Sequence, residues 1–110
     1  MASSYGYRFT EQAETDLSGI LQDIGEDLSN PSAATALGRK VFENIDAIRH
    51  FPQSGMVVDN PFLTDKDVRR VLIDNYIIYY KAVDAEKIVY IIRIVYAKRN
   101  LDEICRELEI

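Results

Sequence analysis

The chain has 110 residues, 47% of them hydrophobic and 28% charged, with a formal net charge of −5; residues 1–110 are expected to form a single domain with one core. One cysteine excludes an internal disulfide framework and gives no zinc pattern. The stretch MASSYGYRFT lacks the basic and apolar regions of a leader, and no run approaches the roughly 18 apolar residues of a membrane span, so a soluble cytoplasmic protein is expected.

Tyr5, Tyr7 and Phe9 alternate with small or polar residues and predict a short strand. Thr10 follows as an N-cap, with Glu11 and Glu14 suited to a first helical turn. Ala13, Leu17, Ile20, Leu21, Ile24 and Leu28 then share one face of an amphipathic helix, with Asp16, Asp23, Glu26 and Asp27 on its solvent faces. Asn30-Pro31 ends this helix and opens a second, whose stripe is Ala34, Leu37, Val41, Ile45 and Ile48. The short connection predicts an antiparallel helical hairpin, closed by Phe51-Pro52. Residues 52–67 carry two prolines and a glycine and read as a loop with at most a short turn.

After the loop the hydrophobic period changes from helical to strand-like. Val68–Asp74, Tyr76–Val83 and Lys87–Tyr96 predict three strands joined at Asp74-Asn75 and Asp84-Ala85-Glu86 as an antiparallel meander. Asn100 caps a short last helix with Leu101, Ile104, Cys105 and Leu108 on one face. The order β-α-α-β-β-β-α gives an α+β fold, a helical hairpin packed on one face of a twisted antiparallel sheet.

Charge is unevenly spread. Residues 1–60 hold four Lys/Arg against nine Asp/Glu, whereas 68–99 holds Arg69, Arg70, Lys81, Lys87, Arg93, Lys98 and Arg99 against Asp74, Asp84 and Glu86. All seven tyrosines fall in predicted strands. Strand propensity explains that placement, and tyrosines with arginines on an open sheet face also form a stacking and phosphate-binding surface. No phosphate loop, metal site or nucleophilic triad is present, and no cofactor is expected. Alternation places Arg70 with Val68 and Leu72, and Arg93 with Val89, Ile91 and Val95. Both faces are largely apolar. Arg93 must therefore snorkel to an edge or pair with a carboxylate: Asp74, Asp84 or an acid of the first helix.

The segments YRFTEQAETDLSGI, HFPQSG, VRRVLIDNYIIYYKAV and IIRIVYAKRN, with this element order, resemble the RelE/ParE superfamily of toxins from bacterial type II toxin–antitoxin (plasmid stabilisation) modules. The resemblance spans nearly the whole chain. It implies a cognate antitoxin as partner, and the activity expected first is RelE-like cleavage of mRNA, with ParE-like inhibition of gyrase as the alternative. RelE-like members are metal-independent endoribonucleases that cut mRNA on the ribosome; ParE-like members poison DNA gyrase. A diverged module that only binds its antitoxin is a third reading. RNA cleavage needs phosphate clamps and proton carriers. For that activity the resemblance implies Arg70, Tyr96 and Arg99 as catalytic residues, with Arg69, Arg93 and Lys98 binding nucleic acid. Tyr96 stands where many relatives have histidine. Ile77 stands where RelE has an arginine, and Cys105 stands near a RelE tyrosine. Met56, Val57, Phe62 and Leu63 in the loop are expected either to meet the antitoxin or to pack against the hairpin.

Overall fold

Each helix starts where a side chain satisfies a free backbone N–H. Thr10 Oγ1 accepts from Ala13 N at 3.1 Å, Asn30 Oδ1 from Ala33 N at 3.1 Å, and Asn100 Oδ1 from Glu103 N at 3.3 Å. The computed structural model describes residues 4–108. Residues 1–3, which begin the stretch inspected for a leader, and residues 109–110 lie outside it. The elements are β1 (Gly6–Phe9), α1 (Glu11–Gln22), α2 (Pro31–His50), β2 (Met56–Val57), β3 (Arg69–Ile73), β4 (Tyr76–Val83), β5 (Ile88–Tyr96) and α3 (Leu101–Arg106).

The hairpin forms as its periodicity predicts except at Leu28, expected on the apolar face of the first helix but 72% exposed just past a local change in that helix. After Gln22 the helix widens into a π-type turn over Asp23–Asp27. A Cβ at Gly25 would lie 3.4 Å from the Ala34 Cβ, so this turn sits directly against α2. Leu37, Val41, Ile45 and Ile48 of α2 are buried with Ala13 and Leu17 of α1 against one face of the sheet.

The sheet has the order β1-β5-β4-β3-β2. The predicted meander is present as antiparallel β3–β4–β5, but β1 joins β5 in parallel, with Gly6 opposite Ile88 and Phe9 opposite Ile91. Inside the expected loop, Met56 and Val57 form a two-residue edge strand opposite Arg70 and Arg69. The second face is also covered. The loop and α3 place Val58, Leu63, Ile104, Cys105 and Leu108 over Ile77, Tyr79, Ile92 and Val95. Helices thus lie on both sides, which accounts for the apolar residues on both faces of the strands.

A β-bulge decides which residues go where. Tyr79 pairs with Arg93 but Tyr80 pairs with Ile91, so Ile92 is an extra residue in β5. Val89 and Ile91 therefore join Ile94 under the hairpin, while Ile92 and Val95 face α3. Simple alternation, which puts Ile92 with Ile94, fails at this point.

Arg93 lies just past the bulge and is only 8% exposed. Its Nε donates to Asp16 Oδ2 at 2.7 Å and its Nη2 to Asp16 Oδ1 at 3.1 Å. The same Asp16 Oδ2 accepts from Ile94 N at 3.0 Å, and Thr10 Oγ1 donates to Ile92 O at 2.8 Å. The β5 backbone beyond the end of β1 is thus closed by side chains of the first helical segment. Glu107, after α3, approaches Arg93 Nη1 at 3.8 Å. The expected acid of the first helix is Asp16, which is buried rather than solvent-facing.

Removing one partner of a buried pair strands the other charge, so Asp16→Ala is expected to cost about 3–5 kcal/mol in denaturant unfolding. Lys40→Ala, which breaks the half-exposed Lys40–Asp74 pair, is expected to cost about 1 kcal/mol or less. Equal losses would contradict this ordering. Burial, with the neighbouring Cys105 thiol adding to it, pushes the Tyr79 hydroxyl from 10.0 up to about 12. A raised pKa favours the neutral phenol in the folded state; its contribution is complete below pH 10 and is lost as pH rises towards 12. Urea midpoints should therefore fall less steeply between pH 9 and 11 in Tyr79→Phe than in the natural chain.

Candidate functional site

The expected site residues divide between the two faces of the sheet. On the hairpin side, Tyr76 and Tyr96 face each other across β4 and β5, edge to face, with ring centroids 5.8 Å apart. They line a cleft of about 410 Å³ with Arg99, Gly19, Ile20 and Asp23, so α1 forms its other wall. Tyr96 is 39% exposed and Arg99 is exposed in the turn leading to α3, where Arg99 N donates to Tyr96 O at 3.0 Å. Lys98 is exposed in the same turn. Burial, then Tyr96 and Asp23, raise the Tyr76 hydroxyl above the ordinary phenol value, which makes it a poorer base near neutral pH.

Arg70 is on the opposite side. It shares a face with Val68 and Leu72 and, with Tyr79, Leu101 and Cys105, lines a cavity of about 170 Å³ beside α3. Its register partners are Tyr79 and then Arg93, whereas Tyr96 sits three residues further along β5. The two side chains are thus roughly 10 Å apart along the strands and roughly 10 Å across them, and they leave opposite faces. One phosphate cannot touch Arg70 and Tyr96 together in this arrangement. Ile77 is 3% exposed inside the α3-side core, and burial raises the Cys105 thiol above its ordinary value. Neither position offers a cation or a proton carrier.

Two further members of the basic set hold structure. The Arg69 Nη1 donates to Gln53 O at 3.1 Å and to Gly55 O at 2.8 Å. Its cross-strand neighbour Tyr80 donates its hydroxyl to Pro52 O at 2.9 Å and accepts from Gly55 N at 2.8 Å. Arg69 and Tyr80 together fasten the PQSG turn after α2. A Cβ at Gly55 would lie 2.8 Å from Tyr80 Cε1 and 2.9 Å from Arg70 O, which explains the glycine. Arg93, expected to bind nucleic acid, is instead spent on Asp16, because an unpaired guanidinium at that depth would be costly. The role of Tyr80 escapes detection from sequence, where it is one of three tyrosines in its strand, and Asp16 is expected only as one of several acids of the first helix.

The turn also shapes a cleft of about 820 Å³, where His50, Phe51, Lys66 and Asp67 stand near Tyr5 and Asp84. His50 Nδ1 donates to Asp46 O at 2.8 Å at the C-terminal end of α2. In the loop, Leu63 is 1% exposed in the α3-side core and Phe62 lies under the Arg106 guanidinium at 4.0 Å, while Met56 and Val57 remain exposed. Among the described residues no three His, Cys, Asp or Glu side chains gather to hold a metal ion, and no helix is long and apolar enough to cross a membrane.

Solved structures share this fold. A chromosomal ParDE toxin–antitoxin system from P. aeruginosa aligns with a TM-score of 0.67 and 18% identity, covering 86% of this chain and 98% of that one. The RelBE2 toxin–antitoxin complex of Mycobacterium tuberculosis gives 0.60 and 19%, covering 89% and 98%. A free arginine-to-alanine double mutant of E. coli RelE gives 0.62 and 13%, covering 94% and 95%. No curated protein matches the chain. The family model for the ParE toxin of the type II toxin–antitoxin system parDE matches residues 7–101. The chain therefore belongs to the ParE toxin family of type II toxin–antitoxin systems.

Proposed function

We propose that this toxin acts by protein–protein contact with DNA gyrase, the activity implied for ParE-type members, and that a cognate antitoxin neutralises it. The observation that carries this reading is the division of the basic set. Arg70 and Tyr96 leave opposite faces, Arg93 is closed into an ion pair, and Arg69 holds a turn. An in-line attack on RNA needs its clamp and proton carriers around one phosphate. A protein-contact inhibitor has no such requirement. The formal charge of −5 also fits a protein partner better than ribosomal RNA, where each phosphate contact needs a cation. The M. tuberculosis RelBE2 toxin–antitoxin complex and the P. aeruginosa ParDE toxin–antitoxin system support the same kind of partner here.

The alternative is ribosome-associated, metal-independent mRNA cleavage. Its support is the Tyr76–Tyr96–Arg99 cleft, where an aromatic pair and a free cation could hold a nucleotide. Induced expression of the chain without antitoxin separates the two readings. The proposal predicts growth arrest with DNA damage and altered plasmid topology, while the 5′ ends of ribosome-bound mRNA stay unchanged. New mRNA ends with normal plasmid topology would overturn it in favour of cleavage.

A further inference from the structure

The α3-side face is covered unevenly. Over β4 and β5 it is sealed by α3 and the loop, but over β3 and β2 it is open. Leu72 and Met56 are each 65% exposed there, and Arg70 stands between them, two residues from Leu72 on β3 and opposite Met56 on β2. Leu72 points to the same side as Ile77, its register partner, yet Ile77 is buried and Leu72 is not. The open strip ends at the 170 Å³ cavity against α3, floored by Tyr79 and Cys105 and walled by Leu101.

Arg70 is half-buried on this strip. Among the described residues it pairs, like Lys98 and Arg99, with no carboxylate, and its side-chain hydrogen bond is from Nη2 to the Met56 sulfur at 3.6 Å. A guanidinium that pairs with no carboxylate among the described residues, flanked by exposed aliphatic side chains, is placed to accept one from outside the chain. The neighbouring edge strand β2 is two residues long, so an added segment meets little competing backbone on that side.

We propose that this strip is a docking surface for an antitoxin segment that presents a carboxylate between two aliphatic side chains. The carboxylate pairs with Arg70, and the aliphatic groups cover Leu72 and Met56 and reach the cavity beside α3. The segment extends the layer that α3 and the loop begin. This assignment rests on the antitoxin reading above, and it locates that partner on the α3 side, away from the Tyr76–Tyr96 cleft.

The test uses the cognate antitoxin, sought as a small protein encoded beside this chain, purified and titrated by calorimetry against the natural toxin, Leu72→Glu and Arg70→Glu. Leu72 is exposed, so its replacement leaves the core intact, and circular dichroism checks both variants. Each variant should bind about tenfold or more weaker, as central contacts do when lost. Changing one acid of the partner to lysine should restore binding to Arg70→Glu but not to Leu72→Glu. Leu72→Glu expressed alone should still arrest growth but no longer be rescued by co-expression of the small protein. Unchanged affinity in both variants would overturn the site. So would a loss of affinity matched by a change in the toxin's own oligomeric state, since the strip would then be a self-contact. Failure of the natural chain to arrest growth would strike at the toxin reading instead, independently of the titration.

Discussion

The arrangement of this toxin depends on one buried ion pair. Arg93 emerges from the central part of β5 immediately after a bulge, at a depth where a lone guanidinium would be severely destabilising. Asp16 answers it with both carboxylate oxygens and uses one of them again on the Ile94 amide. A single side chain of α1 therefore neutralises a charge and closes a sheet edge that β1 is too short to cover. It also fixes α1 against β5, and so sets the wall of Gly19, Ile20 and Asp23 opposite Tyr76 and Tyr96. With Glu107 approaching from the other side, Arg93 connects the hairpin layer with the segment after α3.

That economy explains why an acidic chain carries a basic segment. Of the seven cations between residues 68 and 99, Arg93 and Lys81 meet carboxylates, Arg69 meets carbonyls and Lys87 lies over the Tyr5 ring. Among the described residues, Arg70, Lys98 and Arg99 have neither a carboxylate nor a carbonyl as side-chain partner. They do not converge: Arg70 belongs to the α3 side and Arg99 to the hairpin side. The basic segment is thus mostly an internal fastening, with two separate places left for contacts.

Much of this was legible in the residues. Thr10, Asn30-Pro31 and Asn100 mark helix starts through local hydrogen bonding, and the buried stripe of α2 follows its spacing. The meander was visible because its turns and its Val, Ile and Tyr content act locally. What was not legible depends on distant partners. The parallel docking of β1, the two-residue strand β2 and the extra residue Ile92 are all fixed by pairing, which composition does not encode. The division of the site followed from the same cause, since the faces of the strands are alike in polarity and alternation cannot say what covers each. Ile77 and Cys105, by contrast, announced themselves in the sequence as gaps in a nuclease set, and both are buried.

The most direct measurement of the central claim adds the purified chain to two reconstituted reactions, DNA supercoiling by purified gyrase and translation of a defined mRNA on ribosomes. Contact-based poisoning predicts that supercoiling fails and cleaved DNA accumulates while the mRNA stays whole. Full supercoiling beside a cut mRNA would contradict it.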